Sequence, residues 1–400
     1  MQDNVRSSEV TRGGEPLPVK KALSWESLVF VIAFIGFFGI IGYKMGIMNM
    51  MNTLMNTAYS LLIDTVFYIM AIAVLAGALS ALLTEFGVVS AANKILSPLM
   101  KPVYGLPGAS IIGIFTTYFS DNPAILTLAD DDNFLRTFKK YQVPALTNLG
   151  TAFGMGLIIS TYMIGIGAAQ NINSFPAVLI GNLGAVIGSV VSVRLMLIFT
   201  KGKLGTDAPA VDDGRGIDTD FFKDHRVVRL GNAGSRFLDA MLEGGKSGVE
   251  IGAAIIPGVL IICSLVMMLS GGPAEDGSFT GAAYEGVGFL PWVGEKLNFI
   301  LKPLFGFESA QCVAVPITAL GAAGAAIGLV PNMLTKGLCD VHDIAVFTSM
   351  CMCWSGYLST HIAMMDQLHY RDLTGKAILC HTIGGLCAGI SANLIYTILF

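Results

Sequence analysis

Apolar runs of membrane-crossing length recur along the chain, over about 61–83, 143–166, 175–199, 248–269, 344–364 and 377–400. A helix rises about 1.5 Å per residue, so roughly 20 apolar residues cross the hydrocarbon core of a bilayer. Composition points the same way. Hydrophobic residues make up 54% of the 400 and charged residues only 13%, about half the charged share of an ordinary soluble surface. The balance of 24 basic against 28 acidic residues, net −4, offers no general attraction to nucleic acid. A soluble enzyme, a DNA-binding protein and a disordered chain are excluded, and an all-α polytopic membrane protein in a lipid bilayer remains. The 47 glycines suit closely packed membrane helices. The seven cysteines all fall in the second half. They are odd in number and mostly lie inside apolar runs, which argues against a disulfide framework. Cys351 and Cys353 have one residue between them, not the two of the usual CxxC metal or redox spacing.

The order of segments carries more information. A polar tail over 1–24, with Arg6, Arg12, Lys20 and Lys21, precedes an apolar run over 28–41 that has no small-residue cleavage site. This predicts a retained first span, within 25–60, with the amino terminus in the cytoplasm of a bacterial inner membrane. After the run at 61–83 and an amphipathic stretch over 85–101, the apolar segment 109–129 is interrupted by Ser120-Asp121-Asn122-Pro123. Two half-length arms around a polar, proline-bearing break predict a re-entrant hairpin. The long hydrophilic segment 201–246 carries Lys201, Lys203, Arg215, Lys223, Arg226, Arg229 and Arg236. It is expected to be a cytoplasmic loop, with a short interfacial helix over 235–242. A second broken segment over 310–330 predicts a second hairpin.

The chain repeats itself. ILSPLMKPVYGLPGASIIGIFTTYF begins at Ile95 and NFILKPLFGFESAQCVAVPITAL at Asn298, and Lys302 follows Lys101 by 201 residues. Each copy has Lys-Pro, an aliphatic residue, an aromatic and Gly before its broken segment. Asp64 and Glu250 open the preceding runs. An odd number of crossings between the copies makes 61–200 and 247–400 two inverted repeats, which build a midplane site open alternately to either side. The competing reading is a duplicated bundle with no site.

Polar residues inside such a chain are the candidates, because an unsatisfied polar group in hydrocarbon costs several kcal/mol. Asp121 at the first hairpin tip calls for a cation, a donor-rich solute or a proton, unless the tip lies at headgroup level. Ser120, Asn122 and Thr117 sit beside it. Thr147, Asn148 and Thr151, next to Gly150 and Gly154, suit either an unwound helix that coordinates Na⁺ or a small-residue packing face. In the second half Ser355, Tyr357, Ser359 and Thr360 offer hydroxyls, with Trp354 and Tyr357 able to stack on a ring. His361 reads either as a proton carrier or as a structural imidazole. Asp340, His342 and Asp343 have a metal-like spacing but sit where a helix cap is expected, so no metal site is assigned. Asp366 and Gln367 lie near a span end. No GxxxxGK[ST], HExxH or GxSxG occurs, which speaks against nucleotide hydrolysis and against protease or lipase chemistry.

These motifs resemble the nucleoside-recognition, or Gate, domain family. Its members include concentrative nucleoside transporters, the membrane part of bacterial ferrous-iron permeases and spore-maturation proteins. The nucleoside transporters are the closer likeness, over about 105–200 and 305–400. Phe119-Ser120-Asp121-Asn122-Pro123 resembles their hairpin stretch Gln-Thr-Glu-Ala-Pro, and Thr147 to Gly154 resembles their Thr-Gly-Gly-Phe-Ala stretch. Cys353 to Thr360 is similar to their Cys-Gly-Phe-Ala-Asn-Phe-Ser-Ser. Their second acidic motif, Asn-Glu-Phe, has no match, since 319–331 carries no acid.

The resemblance implies two inverted repeats with re-entrant hairpins and broken transmembrane helices, forming a core that moves against a scaffold. It implies a non-enzymatic, ion-coupled secondary transporter of a small polar solute, such as a nucleoside or related compound. Ser120, Asp121, Asn122, Ser355, Tyr357, Ser359 and Thr360 would contact the solute. Thr117, Thr147, Asn148 and Thr151 would hold the coupling ion, Na⁺ or H⁺. No cofactor is expected, and a homo-oligomer is compatible with the sequence. Two alternatives stand beside this reading: an ion or metal permease gate that works with a separate partner, and a membrane interaction protein that transports nothing.

Overall fold

The computed structural model describes residues 11–12, 15–16, 21–211 and 228–400, with Asn133 and Ser359 described through their backbones. Of the basic residues expected to set orientation, Arg6, Lys20, Arg215, Lys223 and Arg226 lie outside the described residues. A two-residue antiparallel ladder joins Thr11–Arg12 to Glu15–Pro16, and the regular structure is otherwise helical. Six of the described helical segments are long and apolar enough to cross a membrane. The chain is a multi-pass membrane protein.

Helix α1 (Trp25–Met45) begins at Ser24, whose hydroxyl accepts from Ser27 N. It leaves Phe30, Ile32, Ile35 and Ile40 exposed, a surface suited to lipid. Gly46, at φ 84°, turns the chain into α2 (Ile47–Glu85), a helix of 39 residues with a π-helical turn at Leu61–Val66. Its counterpart in the second half is α9 (Ala233–Ser270), 38 residues long with a π-helical turn at Val259–Cys263. The separate interfacial helix expected over 235–242 does not form. Asn232 caps the helix at Ser235 N and the helix runs on unbroken. Packing against α2 holds Gly244 and Gly248 helical despite their weak propensity.

The Lys-Pro-aromatic-Gly motif ends an amphipathic helix in each half, α3 (Val88–Tyr104) and α10 (Phe289–Phe305). Gly105 and Gly306 adopt φ 75° and 70° and return their N–H groups to Lys101 O and Lys302 O. This is a left-handed C-terminal cap that only glycine takes without strain. Tyr104 and Phe305 are the buried anchors before it. Arg194 adds its guanidinium to the last carbonyls of α3, Pro102 O and Val103 O, where positive charge suits the helix dipole.

Each half then forms a hairpin. The first is α4 (Ser110–Phe119) and α5 (Ala124–Ala129). The second is α11 (Ala314–Ala319), entered through a 3₁₀ turn at Ala310–Val313, and α12 (Ala323–Thr335). Neither run at 143–166 nor that at 344–364 is a continuous helix. The first divides into α6 (Ala145–Thr151) and α7 (Gly156–Ala169), the second into α13 (Val341–Trp354) and α14 (Tyr357–Gln367). The breaks correspond: Met155 is left-handed at φ 56°, and Gly356, 201 residues later, at φ 69°. Ser355 beside it is also left-handed, at φ 32°. Two long closing helices, α8 (Phe175–Leu204) and α15 (Thr374–Leu399), complete the halves.

Equivalent helices of the two halves pack on one another, as a two-fold relation requires. A Cβ at Gly188 of α8 would stand 2.5 Å from Gly384 O of α15, and one at Gly248 of α9 would stand 2.3 Å from Ala73 O of α2. Backbone therefore touches backbone at both crossings. Close approach is what holds membrane helices together when water supplies no hydrophobic drive between them.

Candidate functional site

Each hairpin tip lies against the break of the broken helix in its own half. Met155 N donates to Ser120 O at 3.2 Å, while Gly356 N and Leu358 N donate to Ala319 O and Leu320 O at 2.8 and 3.2 Å. Breaking a helix frees N–H groups, ending a hairpin arm frees carbonyls, and each defect satisfies the other. The halves then interlock. Asn122, only 1% exposed, donates through Nδ2 to Ser355 O and to Thr360 Oγ1, both at 2.9 Å. Ser355 Oγ donates back to Gly154 O at 3.2 Å. A side chain at Gly154 would displace this hydroxyl, since a Cβ there would stand 2.6 Å from Ser355 Oγ.

This junction opens into a cleft of about 240 Å³. One wall is polar: Asp121, Asn122, Ser355 and Thr360. The other is small and apolar, from Gly321 to Gly324 at the second hairpin tip and from Ala254, Ile255, Gly258 and Ile262 on α9. Among the described residues lining it, Asp121 alone is ionisable. Its Oδ1 accepts from Asn122 N at 2.8 Å. The Asp121 tip and the Ser355–Thr360 cluster are thus joined by a cavity, not packed apart and dry.

The remaining candidates are distributed around this cleft. Ser120 lines a neighbouring cavity of about 520 Å³, with Thr116 and Phe119 of the hairpin, Ser80 and Thr84 of α2, and Arg229 and Glu243. Tyr357 is buried and its hydroxyl pairs with Thr382 Oγ1 at 2.6 Å, away from the cleft lining. Ser359 sits on α14 between Leu358 and Thr360. Thr117 is buried and donates to Gly113 O within its own helix at 2.9 Å. Thr147 and Thr151 are buried on α6 with their hydroxyls toward the sulfurs of Met365 and Met364, at 3.3 and 3.8 Å. Asn148 Nδ2 donates to Ser192 Oγ and Ala377 O, and Asn148 Oδ1 has no partner. None of these last four lines the cleft.

Asp340, His342 and Asp343 are used structurally. Asp343 N donates to Asp340 Oδ1 and Asp340 N to Asp343 Oδ2, a reciprocal cap on α13. His342 Nε2 lies 2.9 Å from Asn393 Oδ1.

Three features escaped the sequence reading. His381 bridges Ser192 Oγ and Cys353 O, and it sits 4.7 Å from the ring of His361 between centroids. The apolar wall of α9 has the composition of any packed span. At the mouth of the larger cavity, Arg229 binds Glu85 at 2.8 Å and Glu243 at 2.7 Å, with Arg236 3.5 Å from Glu85. The hydrogen bond to Glu243 pushes the Arg229 guanidinium above its ordinary value, against some opposing desolvation and with help from Glu85. Glu85 lies 144 residues before Arg229 and Glu243 14 after it, and no spacing signals the three.

No protein-family model matches the chain, and no curated protein matches it. Solved structures do. CNTnw, a concentrative nucleoside transporter, matches in an outward-facing state of a variant at a TM-score of 0.54 and 14% identity, over 93% of this chain and 85% of that one. The inward-facing substrate-bound state of CNTnw matches at a TM-score of 0.53 and 14% identity, over 92% and 84%. A variant in an intermediate state gives 0.54 and 14%, over 92% and 85%. The chain has the concentrative-nucleoside-transporter fold, with two inverted repeats, re-entrant hairpins and broken helices. These neighbours are transporters, not enzymes.

Proposed function

We propose that the chain is an ion-coupled secondary transporter of a small polar solute, working by alternating access with an elevator-like movement of its core. The observation that carries this is the single cleft bounded by both hairpin tips, both helix breaks and the α9 wall. A site built from symmetry-related defects lies between the halves and can face either side as they move. Hairpins, broken helices, α8 and α15 form the mobile core, and α2 with α9 the scaffold. Asp121, Asn122, Ser355 and Thr360 are the solute contacts, with Ser120, Tyr357 and Ser359 around them. The coupling cation is assigned to the α6 turn, where Asn148 Oδ1 is a buried acceptor without a partner, with Thr117, Thr147 and Thr151 nearby in sequence and fold. The basic residues of 201–246 support a cytoplasmic loop and a cytoplasmic amino terminus, in a bacterial inner membrane. Nucleosides and related compounds are the first solutes to assay, in view of the structural neighbours.

Uptake of a labelled solute panel into proteoliposomes, with and without a Na⁺ or proton gradient, tests the reading. Gradient-dependent accumulation is expected. Asp121→Asn retaining full uptake of an identified solute removes Asp121 from the site.

A further inference from the structure

The hydrogen-bonding capacity of the cleft is lopsided, and this narrows the solute. Among the described residues, the side-chain donors on the polar wall are all committed. Both hydrogens of Asn122 Nδ2 are committed, to Ser355 O and Thr360 Oγ1. The Thr360 hydroxyl donates to Gly356 O at 3.3 Å, and the Ser355 hydroxyl donates to Gly154 O. The acceptors are spent far less. Asp121 uses Oδ1 on Asn122 N and keeps Oδ2. Asn122 keeps Oδ1, and Ser355 keeps its hydroxyl lone pairs. Among the described residues, no lysine, arginine or histidine lines the cleft.

We propose that the cleft selects solutes bearing a protonated amino group, with the ammonium on Asp121 and its remaining hydrogens on Asn122 Oδ1 and Ser355 Oγ. The proposal rests on the transporter reading and narrows its solute class. A half-buried carboxylate with one backbone donor is costly until a cation reaches it. An ammonium supplies both the charge and the three donors that the wall lacks. A hydroxyl in its place brings one donor and no charge. The opposite wall accommodates the uncharged part of the solute among Ala254, Ile255 and the Gly/Ala tip of the second hairpin.

The test uses the full chain in nanodiscs for binding, read by thermal stabilisation, and in proteoliposomes for uptake. Matched solutes exchange an ammonium for a hydroxyl: alaninamide against lactamide, alanine against lactate, putrescine against butanediol, with uridine as an uncharged nucleoside. The expected result is that ammonium members bind and enter at least about tenfold better than their hydroxyl partners. Asp121→Asn removes that preference while Asp121→Glu, which keeps the charge, retains it. Uridine or hydroxyl partners moving as well as the amines, or amine binding that survives Asp121→Asn, overturns the inference but leaves the transporter reading intact. Movement of no solute in any gradient overturns both.

Discussion

The His361 and His381 rings lie side by side, tilted at 46° with centroids 4.7 Å apart, yet they differ in what holds them. His381 Nε2 faces Cys353 O at 2.6 Å, and a carbonyl only accepts, so this nitrogen carries the proton. Nδ1 then accepts from the Ser192 hydroxyl at 2.9 Å, and Ser192 accepts from Asn148 Nδ2. The chain from Asn148 to Cys353 ties α6, α8, α15 and α13 together. His361, fully buried, has no partner on either ring nitrogen. The two substitutions should therefore diverge. His381→Phe strands Cys353 O and the Ser192 hydroxyl, at about 1–3 kcal/mol for each group left unpaired, and a clear fall in melting temperature is expected. His361→Phe removes two unpaired nitrogens for a ring of similar shape, so the melting temperature should hold or rise. Thermal unfolding in detergent compares them directly. A fall for His361→Phe as large as for His381→Phe would show that His361 has a partner after all.

Helix crossings make a sharper prediction, because glycines here occupy three environments. At Gly188 and Gly248 a Cβ would press on a facing carbonyl, whereas at Gly39 on α1 nothing lies within 4 Å. Gly248→Leu and Gly188→Leu should abolish a monodisperse peak in size-exclusion chromatography. Gly39→Leu, facing open space, should leave yield and melting temperature unchanged. Equal loss in all three would reject the assignment of α1 to the periphery. At Gly105 and Gly306 the requirement is conformational, and that was visible in the sequence, because Lys-Pro-x-aromatic-Gly names a helix end in letters. The hairpin at Ser120–Pro123 was visible for the same reason, as a polar, proline-bearing break in an apolar run. The break between α6 and α7 was visible only as one of two readings, since Thr147, Asn148 and Thr151 beside Gly150 and Gly154 suit an unwound helix or a packing face equally; the left-handed Met155 itself leaves no mark in composition, and its match with Gly356 across the repeat shows why it is there. Polar residues were findable, but which of them faced a cavity was not. Thr147 and Thr151 look as available in sequence as Ser355 and Thr360, and only packing against Met364 and Met365 separates them.

Across the whole molecule, the elevator reading requires the second hairpin tip to slide along α9. The two meet closely at one point: a Cβ at Gly258 would stand 3.2 Å from Ala322 Cβ. Disulfides favour Cβ separations of about 3.5–4.5 Å, so a small outward relaxation brings this pair into range. Gly258→Cys with Ala322→Cys should cross-link under mild oxidant. The seven native cysteines are free, six of them buried and Cys387 half-buried, so each single variant is the control for background reaction. Both positions line the cleft, so the singles also report the effect of side-chain bulk there. The oxidised double variant should lose uptake while the same protein after reduction recovers to the level of the slower single. If core and scaffold moved together as one body, the bond would join parts that never separate. Uptake would then be the same oxidised or reduced, and alternating access would have to come from a movement that leaves the second hairpin tip on α9, such as opening of the first hairpin. The long, glycine-lined contact of α2 with α9 favours the first outcome. It makes a scaffold bound to itself across the two-fold axis, while the mobile half meets that scaffold at the cleft mainly through alanine and glycine, side chains too short to interdigitate and resist sliding.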